Sequence, residues 1–93
     1  MTQQNHLGKV ATTIRTENDY TIVRYHWTDI VKFNEKRIVL DSNGWKTQTT
    51  KTRMNQASNQ FGLGCYVTQK DGEWYVTYQG KEIEFKDGMK IKR

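Results

Sequence analysis

Apolar and polar residues alternate from Lys9 to Thr16, with Val10, Thr12 and Ile14 sharing one side, which predicts a short strand. Tyr20 to Trp27 is rich in β-branched and aromatic residues and predicts a second, which Thr28-Asp29 breaks. Ile30–Phe33 and Arg37–Leu40 flank Asn34-Glu35-Lys36 as a hairpin, and Asp41-Ser42-Asn43-Gly44 is a turn that tolerates positive φ. The period then changes. Thr50, Met54, Ala57 and Phe61 follow i, i+4, i+7, i+11, one face of a helix expected from about Thr47 to Phe61. Thr47 or Thr49 supplies its cap and Gly62 its stop. Cys65–Gln69 and Glu73–Tyr78 flank Lys70-Asp71-Gly72, and Gln79-Gly80 turns into Glu82–Phe85. Asp87-Gly88 precedes Met89 and Ile91. The expected fold class is α+β: an antiparallel sheet of about six strands with one central helix laid across it. Residues 1–8 are polar and aperiodic and read as a flexible tail, leaving 9–93 as a single domain.

Length sharpens this picture. A chain of 93 residues buries a modest fraction of its surface, so its core is expected to be thin and self-association is a way to bury more. No apolar run is long enough to span a membrane, and Met1-Thr2-Gln3-Gln4-Asn5 lacks the pattern of a secretory signal. Cys65 is the only cysteine, which excludes an intrachain disulfide and a cysteine zinc site and points to a reducing cytoplasm. Eleven aromatic residues argue against disorder; Trp27, Trp74, Tyr20, Tyr25, Tyr75 and Phe85 are candidate core residues.

Fifteen Lys and Arg stand against ten Asp and Glu, a net charge of +5. From Ser42 to Lys70 there is no carboxylate, while Lys46, Lys51, Arg53 and Lys70 are present, so most of the excess lies in this window. It suits an anionic partner, and equally a solvated basic face. Catalytic groups are sparse. His6 and His26 are the only histidines, Cys65 reads as a small buried residue, and no phosphate-loop pattern occurs. No enzyme activity, metal site or cofactor is expected.

The informative stretch begins at the turn before the helix. Trp45, Lys46, Thr47, Thr49, Thr50, Lys51 and Arg53 gather at a helix N-terminus, where orphan amides and the helix dipole already carry positive charge. A helix built for stability alone would place Asp or Glu there. The cations and hydroxyls therefore suit an external anion such as phosphate, or else simply cap the helix and extend into water. Trp45 is placed either to stack a base or to plug the core. Thr49, Arg53, Gln56 and Gln60 form a second stripe, from which Arg53 and Gln56 could meet base edges or phosphates, or only solvent. Asn55 and Asn59 suit a contact with a second copy of the chain, because Asn is a poor helix former.

Gly44-Trp45, Thr47, Thr49-Thr50-Lys51, Arg53 and Asn55-Gln56 resemble the motif of a widespread family of small phage-encoded proteins. The likeness runs from about Thr21 to Phe85. It includes Ile22-Val23-Arg24-Tyr25-His26, Phe61-Gly62 and Glu73-Trp74-Tyr75-Val76, with Phe85-Lys86-Asp87-Gly88 at its end. It is similar to the viral anti-CBASS sponges, which sequester cyclic dinucleotide immune signals such as cyclic GMP–AMP through an oligomeric assembly. That resemblance implies ligand binding without cleavage in the host bacterial cytoplasm. Lys51 and Arg53 would meet phosphate, the hydroxyls of Thr47, Thr49 and Thr50 would meet phosphate or ribose, Trp45 would stack a base, and Gln56 would lie alongside. A homo-oligomer, dimer or tetramer, would offer the same groups twice to a two-fold ligand. Two other readings fit the same residues: a small basic nucleic-acid-binding protein, and an inhibitor that binds a host protein through the helix face.

Overall fold

The computed structural model describes residues 12–93; the expected tail at 1–8, His6 and the start of the first strand at Lys9 lie outside them. Among the described residues, eight strands and one helix follow in the order β1 (Thr12–Glu17), β2 (Tyr20–Tyr25), β3 (Thr28–Phe33), β4 (Arg37–Leu40), α1 (Gln48–Phe61), β5 (Cys65–Lys70), β6 (Glu73–Tyr78), β7 (Lys81–Glu84) and β8 (Met89–Lys92). The architecture is α+β and antiparallel, as the patterning predicts. The strands form two sheets rather than one of about six: β1-β2-β3-β4-β8 and β5-β6-β7. After the smaller sheet the chain returns, and β8 pairs with β4, Ile38 opposite Ile91 and Leu40 opposite Met89.

Tight turns explain the strand spacing. Asn18-Asp19, Asp71-Gly72 and Gln79-Gly80 all hold positive φ at both positions, the conformation whose twist matches a two-residue hairpin. The helix starts at its cap Thr47, whose side chain accepts from the Thr50 amide, and ends at Gly62 in the left-handed region with φ 65°. A Cβ there would be strained by the backbone alone.

The core lies between the helix and both sheets. Met54 and Ala57 of α1 pack with Val23, Ile30, Val31, Ile38 and Leu40 of the larger sheet and with Cys65, Val67, Trp74 and Val76 of the smaller one. Phe85, just past β7, meets Trp74 edge-on with ring centroids 5.3 Å apart. Asn55 corrects the expectation of an intermolecular role. It is buried, donates to the Val67 carbonyl at 3.0 Å and accepts from the Val67 amide at 2.7 Å. It thus stands in for a strand neighbour along the open edge of β5. Among the described residues, no helix is long and apolar enough to cross a membrane.

Trp27 departs furthest from expectation. It is 89% exposed, because β2 ends at Tyr25 and a two-residue turn, His26-Trp27, carries the chain into β3. Thr28-Asp29, expected to break the strand, begins the next one. Tyr20, Tyr25 and Tyr75 are only half-buried.

Candidate functional site

Two loops and the helix tip enclose a cleft of about 440 Å3 lined by Tyr25, His26, Trp27, Trp45, Thr47 and Thr50, with Ile30 and Ser42 among the deeper residues. One wall is the β2–β3 turn. Tyr25 pairs with Thr28, so His26 and Trp27 alone make the reversal, and His26 sits at φ 54°. Such a turn favours Gly, Asn or Asp at positive φ. His and Trp are poor choices for the reversal itself; both side chains instead face the cleft. The His26 and Tyr25 rings lie 4.3 Å apart, which fixes the turn's entry.

The opposite wall is the connection from β4 to α1. Asn43 and Gly44 take positive φ, and the Trp45 amide closes the turn on the Ser42 carbonyl at 2.8 Å. Asp87, from the loop before β8, holds this wall in place. Its carboxylate accepts from the Ser42 amide at 2.8 Å, the Ser42 hydroxyl at 2.6 Å and the Gly44 amide at 3.0 Å. Burial acts to raise the Asp87 carboxyl. The hydrogen bonds from Ser42 and Gly44, with the nearby Lys46 charge, outweigh it and keep the group below its ordinary value. The result is a stiff turn that leaves Trp45 67% exposed. Of the two roles open to Trp45, core plug is therefore excluded.

The helix tip closes one end. Thr47 Oγ1 accepts from the Thr50 amide at 3.2 Å and lies 3.0 Å from Thr50 Oγ1. Helix geometry leaves the Gln48 and Thr49 amides aimed outward. Thr47, Gln48 and Thr49 are exposed, and no acidic residue lies in the first turn. The tip is neither sealed nor answered by a carboxylate of its own first turn.

The remaining residues singled out from the sequence do not gather at this wall. Lys51 and Arg53 are half-buried and are not among the cleft lining. Arg53 donates to Gln56 Oε1 at 3.0 Å, and its guanidinium lies 5.8 Å from the Tyr25 ring. Its Nε is buried without a partner among the described residues. Gln56 is itself buried, so the helix stripe is not a solvated face at that point. Lys46 extends over the Phe85 ring at 5.8 Å.

Tyr25, His26, Trp27, Ser42, Asn43 and Asp87 were not singled out from the sequence as site residues. The signal for two of them was the His-Trp pair next to a strand break; a reversal placed there would have exposed both. Nothing local flags Asp87, which lies more than 40 residues from its partners. Chemically, two exposed indoles offer flat faces to a planar ring, and hydroxyls and outward amides at one end suit an anion. Among the described residues, no group of three or more His, Cys, Asp or Glu could hold a metal ion.

Fold and site together define a small α+β protein with an open, aromatic-walled cleft at a helix N-terminus. The chain belongs to the Kyanoviridae Gp96 protein family, a family of phage proteins, whose model matches residues 1–92. No curated protein and no solved structure matches it.

Proposed function

We propose that this phage protein binds a nucleotide-class ligand in the cleft between Trp27 and Trp45 and holds it without cleaving it. The ligand is a cyclic dinucleotide, such as cyclic GMP–AMP, and sequestering it in the host cytoplasm blunts CBASS antiphage defence. The observation that carries the reading is the pair of protruding indoles across a cleft that ends on a helix tip with no acidic residue in its first turn. A base stacks on the indoles, and its phosphate meets the amides of Gln48 and Thr49 and the hydroxyls of Thr47 and Thr49. Arg53, its guanidinium 5.8 Å from the Tyr25 ring of the wall, contributes charge from behind it. The cleft volume falls within the range of small-ligand sites. The resemblance of the Gly44-to-Gln56 motif to the sponge proteins supplies the choice of ligand. One cleft meets half of a two-fold ligand, so two copies of the chain enclose it.

Tryptophan fluorescence tests this directly, because both indoles face solvent. Titration with cyclic GMP–AMP is expected to give saturable quenching, and denaturation to release the ligand unchanged. Quenching by an oligonucleotide alone would replace this reading with nucleic-acid binding. No response to any cyclic dinucleotide would end it.

A further inference from the structure

The face of the larger sheet turned away from the core carries a second basic surface, distinct from the cleft. Ile38, Leu40 and Ile91 point inward, so strand alternation puts Arg37, Val39, Lys90 and Lys92 outward. Lys32 pairs with Val39 and joins them, its ammonium 4.5 Å over the half-buried Tyr20 ring. Arg15 and Arg24 stand on the same face at β1 and β2.

The two halves of this face are treated differently. On the β1–β2 side the cations are answered: Arg15 pairs with Glu17 at 3.2 Å and Asp29 at 3.0 Å, and Arg24 pairs with Asp29 at 2.9 Å. On the β4–β8 side, Lys32, Arg37, Lys90 and Lys92 have no ion pair among the described residues. Arg37 and Lys92 are direct cross-strand partners. Like charges set opposite one another destabilise a sheet. The β3–β4 connection adds Glu35 and Lys36, one charge of each sign, and leaves the excess standing. Along β8 the cations recur about 7 Å apart, and across to β4 about 5 Å.

We propose that this β4–β8 face binds the phosphate backbone of double-stranded DNA, independent of sequence. Charge complementarity calls for a polyanion. Among the described residues, none of the exposed large apolar side chains, Ile14, Trp27, Trp45, Tyr66 and Ile83, belongs to the β4–β8 pair, and the outward Val39 is half-buried, so the surface has no exposed apolar side chain to insert into a lipid layer. It also has no exposed aromatic ring on which an unpaired base could stack, which separates a duplex from a single strand. Four cations in two neighbouring cross-strand rows, Lys32 and Lys90 on either side of Val39 and Arg37 opposite Lys92, contact phosphates and leave the bases unread.

Fluorescence anisotropy of a labelled mixed-sequence DNA duplex, measured across salt concentrations, tests this. Four neutralised phosphates give a slope of log affinity against log salt of about −3.6, so a fourfold rise in salt weakens binding roughly 150-fold. K90Q/K92Q is expected to halve the slope, to about −1.8, and to weaken the same salt step to roughly tenfold. The variant removes repulsion against Arg37, so its melting temperature should not fall. K70Q/K81Q removes the same charge from the smaller sheet and should leave the slope unchanged, as should W27A, which disables the cleft. The proposal is overturned by no duplex binding at low salt or by an unchanged slope in K90Q/K92Q. It is equally overturned by an equal loss in K70Q/K81Q, or by binding to phosphatidylserine vesicles in place of the duplex.

Discussion

Replacing Asn55 by Ala should cost far more stability than the same change at Asn59, one turn further along the helix. The Asn55 amide occupies both hydrogen-bonding groups of Val67, which face the open edge of β5. Asn55 and Val67 are both buried, so truncation strands an amide and a carbonyl away from water. Each orphaned group costs about 1–3 kcal/mol, and Asn→Ala returns at most about 0.7 kcal/mol in helix propensity. The net loss is about 1.5–5 kcal/mol, a large share of the roughly 5–15 kcal/mol that holds a small domain together. At about 4–8 °C per kcal/mol, the melting temperature should drop by at least about 6 °C. Asn59 is exposed, so N59A should melt with the native protein or slightly above it. Thermal denaturation followed by circular dichroism at two protein concentrations provides the comparison. Equal melting of N55A and N59A would refute the reasoning. So would a loss confined to high concentration, because that would place the Asn55 bonds between copies.

W27A and W45A should each leave the melt within about 1 kcal/mol of the native protein, while weakening cyclic dinucleotide binding by 1–3 kcal/mol, about 5- to 150-fold, in a fluorescence titration. W74A, by contrast, opens the core and should cost about 3–5 kcal/mol in urea denaturation. T47A removes the helix cap and should cost about 1 kcal/mol by the same assay. Acid should destabilise the protein through Asp29 and Asp87. Hydrogen bonds from Arg15 hold the first below its ordinary 3.8, with burial opposing and Arg24 assisting; the bonds from Ser42 and Gly44 overcome burial to do so for the second. Their stabilisation is complete above the unfolded-state value and is lost as pH falls through the lower folded-state one. The melting temperature should therefore fall steeply below about pH 4, and less so in D87N; an identical fall in D87N would disprove the assignment.

The local pattern sufficed for the helix and most strand positions, because i, i+4 spacing and paired turn residues such as Asp71-Gly72 act within a few residues. The division into two sheets was not legible, since the pairing of β8 with β4 depends on which edge the returning chain finds open. Trp27 reads as a core residue in the sequence for a related reason: strand propensity continues through His26-Trp27, and only the closure of Tyr25 on Thr28 puts the turn there. Trp45 and the capping Thr47 were readable as site candidates because a turn and a helix start are local. Arg53 and Gln56 were readable as neighbours on one face, but not as partners of each other. The basic β4–β8 surface escaped because Arg37 and Lys92 lie far apart in sequence and outside the carboxylate-free window.

The return of β8 to β4 also orders events during synthesis. By the time Leu40 leaves the ribosome, β1 to β4 can already associate, yet the flank of β4 stays open until about fifty further residues have been translated, from Leu40 to Met89. During that interval Ile38 and Leu40 lack the Ile91 and Met89 that lie opposite them in the finished sheet. A nascent chain paused after Glu84 therefore presents an unpaired strand edge, and the last four-residue strand serves as the latch that retires it.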